Sequence, residues 1–130
     1  MIKKHVAILS ALLAFTLVGL LAGCSTSYQL KGTRLSPSSA GEVIVSSDAN
    51  DNQVLDITVK FMPLPGDLDP ELTTFVAWAS PSDKETFSNL GQLKFSAEDR
   101  EAELTTTTPF PDLELIISAE TEPFVTTPSE

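Results

Sequence analysis

Leu55-Asp56-Ile57-Thr58-Val59-Lys60-Phe61 sets an apolar side chain at every second position, with Asp56, Thr58 and Lys60 between them. Successive side chains of a strand point to opposite faces, so this run predicts a β-strand with one face in a core and one in water. In that register Phe61 belongs to the inward set with Leu55, Ile57 and Val59. Val43-Ile44-Val45 lies upstream as a second β-branched run. Between them stands Asp48-Ala49-Asn50-Asp51-Asn52, rich in residues that tolerate left-handed φ and bond their own backbone. The three pieces together predict a β-hairpin.

Working outward, the same period returns. Residues 73–79 form a further strand, with Phe75, Ala77 and Ala79 on one face and Val76 and Trp78 on the other. Trp78 is expected to pack in the core rather than to stand exposed as a ligand platform. Leu93 and Phe95 alternate with Gln92 and Lys94, and Ala102 and Leu104 with Glu101 and Glu103. Ala97-Glu98-Asp99-Arg100 turns between them. In the last strand Leu113, Leu115 and Ile117 alternate with Glu114, Ile116 and Ser118. Tyr28-Gln29-Leu30 with Leu35 adds a candidate first, edge strand ending at Pro37. The prolines of Met62-Pro63-Leu64-Pro65-Gly66-Asp67-Leu68-Asp69-Pro70 lack backbone donors and mark a crossover loop. Residues 80–89 form a polar loop with a candidate helical turn near Asp83-Lys84-Glu85. About seven strands, frequent turn signals and no convincing helix predict an all-β chain, an antiparallel immunoglobulin-like β-sandwich.

The N-terminal end has a different character. Lys3 and Lys4 precede a nearly continuous apolar run over residues 6–21, followed by Leu21-Ala22-Gly23-Cys24. A basic start, an apolar middle and small residues before a cut are the layout of a secretory signal. The apolar run falls short of the ~20 residues of a spanning helix. Cys24 is the only cysteine, so it has no disulfide partner within the chain. Leu21-Ala22-Gly23-Cys24 resembles the lipobox of bacterial lipoproteins. The resemblance implies cleavage before Cys24 and a diacylglyceryl group, with palmitate-like chains, on its thiol. Two or more acyl chains make such anchoring durable. The expected organisation is a signal peptide over 1–23, a lipid-attached tether with the candidate edge strand over 24–40, a sandwich over 41–121 and a mobile tail over 122–130. The expected location is the cell envelope, with attachment to the membrane through lipid on Cys24. Ser25, rather than Asp, follows the cysteine, which favours the outer membrane facing the periplasm in a Gram-negative cell.

The chain of 130 residues carries a net formal charge of −10, and Lys3 and Lys4 leave with the signal, so the remainder is more acidic still. Such a surface repels nucleic acid and anionic headgroups. The one histidine, His5, also leaves with the signal. What remains offers no His for a triad, no free thiol and no imidazole or thiolate metal site. No Gly-rich phosphate loop is present, and no cofactor is expected. Among so many acids some carboxylates lie close by chance, which leaves a carboxylate-based hydrolase as a remote alternative.

Asp48, Asn50 and Asn52 are the calcium candidates. Their spacing matches the first three ligand positions of an EF-hand loop and the Asp-x-Asn-Asp-Asn linker of cadherins. Calcium takes 6–8 oxygen ligands. Gln53 stands where the EF-hand turn needs Gly, and Val59 where it needs the bidentate Glu. A hairpin turn is therefore favoured, with a calcium-dependent adhesion or assembly module as the alternative.

Residues 41–123 carry a further set of short motifs. Val43-Ile44-Val45 is followed by a turn and Leu55-Asp56-Ile57; then come Leu64-Pro65-Gly66, Phe75-Val76-Ala77-Trp78, Leu90-Gly91 and Ala102-Glu103-Leu104. Ile117-Ser118-Ala119-Glu120-Thr121-Glu122-Pro123 closes the series. In this order they resemble the extracytoplasmic C-terminal domain of anti-sigma-K factors. The resemblance implies a β-sandwich facing the envelope space. It does not carry sigma-factor regulation, because the chain has no sigma-binding region and no His and Cys zinc cluster. Phe124-Val125 also replaces the family's Gly-Gly. The expected function is a non-catalytic binding or structural module, lipid-anchored and meeting an envelope protein of unknown identity.

Overall fold

The computed structural model describes residues 24–81 and 86–129. The signal region 1–23 and the candidate turn at Asp83-Lys84-Glu85 lie outside the described residues. In chain order the elements are β1 (Thr26–Lys31), β2 (Ala40–Ser47), β3 (Gln53–Lys60), a four-residue helix α1 (Pro65–Leu68), β4 (Thr74–Pro81), β5 (Ser88–Gln92), β6 (Lys94–Ser96), β7 (Glu101–Thr108) and β8 (Leu113–Glu120). They form a five-stranded sheet, β1-β2-β3-β7-β6, and a three-stranded sheet, β5-β4-β8. Every pairing is antiparallel. The chain is an all-β sandwich.

The alternation of β3 does what its pattern requires. Leu55, Ile57 and Val59 are buried and Asp56 is exposed. With Val43, Met62, Phe75, Ala77, Leu93 and Ala102 they form the core between the sheets. Leu113, Leu115, Ile117 and Ala119 of β8 pack against it, half-buried, in the expected phase. Phe75 and Phe95 meet edge to face with centroids 5.3 Å apart, a favoured aromatic geometry.

Four details depart from expectation. Phe61 does not complete the inward row: β3 ends at Lys60, Phe61 takes a φ of 59° and its side chain is 67% exposed. That backbone turn re-aims the chain, and Met62 fills the core instead. The proline-rich crossover holds one helical turn, α1, with Pro65 where its preset φ suits a helix start. β1 ends at Lys31, well before Pro37, and Leu35 lies outside it, 61% exposed. β1 also begins at Thr26, so the edge strand within residues 24–40 starts two residues before Tyr28.

The fourth is an eighth strand. Ser88–Gln92 pairs with β4 in the smaller sheet, and Lys94–Ser96 pairs with β7 in the larger one. Leu93 is the corner between them: it is buried, and its N–H donates to Phe75 O at 2.9 Å. Strands that switch sheets make such corners through bends and bulges. Here the register shifts between Ala77 and Trp78, and Gly91 opposite takes a φ of 132° that a side-chain-bearing residue rarely adopts. This corner closes one side of the sandwich.

β4 is buried on both faces. One face meets the core. The other carries Val76 and Trp78, both fully buried yet outside the inter-sheet cluster. The C-terminal segment crosses that outer face. Asn89 on β5 donates to Pro123 O and Val125 O at 2.9 and 3.0 Å. Ser129 returns to β8, donating from N and Oγ to the Glu120 carboxylate, each at 2.7 Å. Residues 122–129, expected as a mobile tail, thus form a strap tied at both edges of the three-stranded sheet. Trp78 is buried as expected, but beneath this strap rather than between the sheets.

Candidate functional site

Cys24 is exposed and lies two residues before β1. β1 runs antiparallel to β2 with Thr26 opposite Val45. The chain before Thr26 therefore points towards the end of the sandwich that carries the β2–β3 turn. Gln53 pairs with Thr108 at that end, so the loop between β7 and β8 belongs to it as well.

The turn brings Asp48, Asn50 and Asn52 together. Asp48 Oδ1 accepts from the backbone N–H of Asn50 at 2.8 Å and of Asn52 at 3.0 Å. Asp48 Oδ2 accepts from Asn52 Nδ2 at 3.1 Å. Asp51 adopts the left-handed φ of 62° that lets the chain reverse. The Asn52 amide, and then the Asn52 and Asn50 backbone N–H groups, hold the Asp48 carboxyl below the ordinary aspartate range. Both carboxylate oxygens are thus engaged by the turn's own donors. Among the described residues no cluster of three or more His, Cys, Asp or Glu is arranged to hold a metal ion.

One concavity joins the two sheets on the side away from the Leu93 corner. It encloses about 500 Å³. Leu30, Val43, Val45 and Leu55 form its wall on the larger sheet, and Leu113 and Leu115 of β8 its wall on the smaller one. Tyr28, 57% exposed, stands at its mouth. Its origin is arithmetic: among the described residues five strands face three, so the β1 edge of the larger sheet extends beyond β8, with Tyr28 exposed and Leu30 half-buried while Val43 of β2 is already covered. Asp112 and Glu114 also line the groove. Sequence reasoning identified the strands but not this groove, because alternation gives the face of each strand and not how many strands lie across from it.

Glu120 was likewise not singled out. It is 1% exposed and is the one buried acid among the described residues. Its carboxylate accepts from Ser118 Oγ as well as from Ser129 N and Oγ. Three donors on a buried carboxylate satisfy it, and its place under the strap makes it a clamp rather than an acid facing a cleft. The fragment Ile117-Ser118-Ala119-Glu120 carried a weak signal, two polar side chains two residues apart on one face at the end of the strand.

Compared with protein families, characterised proteins and solved structures, the chain matches none, so the resemblance to the anti-sigma-K domain rests on its short motifs alone.

Proposed function

We propose that this chain is a bacterial envelope lipoprotein, anchored through lipid on Cys24, whose sandwich is a non-catalytic binding or structural module. One observation carries the reading: the sole cysteine, exposed and directly ahead of β1, follows Leu21-Ala22-Gly23 at the end of an apolar, basic-led run. The groove between β1–β2 and β8 is the surface on which such a module would act. An anti-sigma-K-like architecture agrees with this reading, without the regulatory role.

The test is the mass and N-terminal sequence of the processed protein extracted from membranes. The expected result is a chain beginning at Cys24 with its mass raised by acyl groups. Cys24→Ser is expected to leave unprocessed precursor or a chain without lipid attachment. A processed N-terminus at any other residue overturns the reading. Calcium-dependent adhesion is the second reading, and its only support is the 48–52 turn, whose carboxylate is already engaged.

A further inference from the structure

We infer that the groove receives an extended peptide strand that adds to the free edge of β8, from a partner segment alternating apolar and basic residues. The inference deepens the binding-module reading and rests on it.

The strand order supplies the first argument. β8 is the last strand of its sheet, so every second residue directs its backbone N–H and C=O away from β4. The overhang supplies the second. Among the described residues the smaller sheet has no strand beyond β8, where Tyr28 stands exposed and Leu30 half-buried on the inner face of β1, and one added strand would occupy that place. The lining supplies the third. Leu113 and Leu115 point in from alternate positions of β8, and Leu30, Val43 and Val45 face them. An extended peptide offers an apolar side chain at the same two-residue spacing, giving main-chain bonds for affinity and pockets for specificity.

The same features weigh against other occupants. A hydrocarbon chain laid along β8 would cover backbone donors and acceptors without satisfying them, which costs free energy. A second copy brings another net charge of −10 to the same face, and like charges oppose association. That charge, with Asp112 exposed on the rim, favours a partner whose outward-facing residues are basic.

The test is hydrogen exchange on the membrane-extracted protein in phosphatidylcholine nanodiscs. The probe is a synthetic peptide of alternating Lys and Val, matched in length to the eight residues of β8. The outward amides of β8 are expected to exchange about tenfold more slowly when it is added, as for newly paired strand amides. A peptide with proline at its central valines, and one with Glu in place of Lys, are expected to give no protection. Leu115→Lys and Tyr28→Lys are both expected to abolish the effect with β3 exchange unchanged. Tyr28 is exposed enough for its variant to fold should Leu115→Lys fail. No change in β8, or equal protection by the proline peptide, overturns the inference. So does protection by palmitate alone, or protection without peptide that grows with protein concentration. The mass of Cys24 in the same sample separates the two readings. Acylated Cys24 with no peptide protection ends this inference only, and unmodified Cys24 with protection ends only the anchored reading.

Discussion

The indole N–H of Trp78 donates to Ser118 Oγ at 2.8 Å, from one strand of the smaller sheet to the next. The Ser118 hydroxyl in turn donates a hydrogen bond to Glu120 Oε1. A fully buried tryptophan is thus linked through one serine to a carboxylate that also holds the C-terminal strap. Ser118→Ala leaves the indole N–H without its partner, while Glu120 Oε1 keeps the Ser129 N–H. A loss of ~1–3 kcal/mol is expected for an unsatisfied buried group. Urea unfolding with an unchanged midpoint would mean that the serine is not needed there.

Removing the strap tests its role as a third layer. A chain ending at Glu122 is expected to expose Trp78 and Val76, shift tryptophan emission to the red and lower the melting temperature. Uncovering a large apolar side chain costs up to ~1.5–3 kcal/mol. Phe124→Ala, at a residue 86% exposed, is expected to change stability by no more than about 0.5 kcal/mol. Unshifted emission from the shortened chain would show that something else covers Trp78.

Ile57 is fully buried, whereas Ile117 packs half-buried against the same core. Ile57→Ala is expected to cost ~2–5 kcal/mol and Ile117→Ala less, because fewer neighbours lose contact. Asp56 lies exposed on the opposite face, where it accepts from Thr105 Oγ1 at 3.2 Å. Asp56→Ala is expected to stay within about 0.5 kcal/mol. Equal losses for Ile57→Ala and Asp56→Ala in denaturant unfolding would place the register one residue off.

The 48–52 turn has a pH signature. The Asp48 carboxyl sits below its ordinary range because the Asn52 amide and two backbone N–H groups favour its charged form. A depressed folded-state pKa contributes stability that is present above the unfolded value and lost as pH falls through the folded one. Carboxyl NMR shifts of Asp48 are therefore expected to titrate below those of ordinary aspartates, and Asn52→Ala to move them upward. Melts in calcium and in chelator are expected to coincide. A calcium-dependent rise of ~4 °C or more, near what 1 kcal/mol gives a domain this size, would make the turn a cation site.

Gly32 sits where the chain leaves β1. A Cβ there would lie 2.3 Å from Ser36 O and 2.8 Å from Ser39 O, both backbone atoms. Gly32→Ala is expected to cost ~1–3 kcal/mol through forced loop movement, whereas Gly66→Ala meets nothing within 4 Å. Equal melting temperatures for the two variants would contradict that contrast.

Much of the architecture was legible in the period-2 runs. Leu55, Ile57 and Val59 carried their face in the sequence, and so did Leu113, Leu115 and Ile117. β5 was not legible, because Ser88-Asn89-Leu90-Gly91-Gln92 has one large apolar side chain and a bulge glycine, and its pairing is decided by β4. Phe61 misled because alternation takes no account of a local left-handed turn. The strap was hidden for a different reason. It bonds chiefly through carbonyl oxygens and one serine, and its prolines read as loose chain. Of the candidate site, Cys24 and the 48–52 turn were visible as local motifs. The groove belongs to a mismatch between two sheets and has no local signature.

The spacing between Cys24 and Thr26 sets the mechanics of an anchored protein. Two residues extend no more than ~7 Å, so a lipid on Cys24 would act on the sandwich as a pivot and not as a leash. The domain could lean and spin about that point but could not drift far into the surrounding space. The 48–52 turn and the β7–β8 loop would stay near the headgroups, and the opposite end, with α1 and Phe61, would stand farthest from the bilayer. Encounters with a partner would then be a two-dimensional search over the membrane, limited to molecules that present themselves within one domain height of its surface.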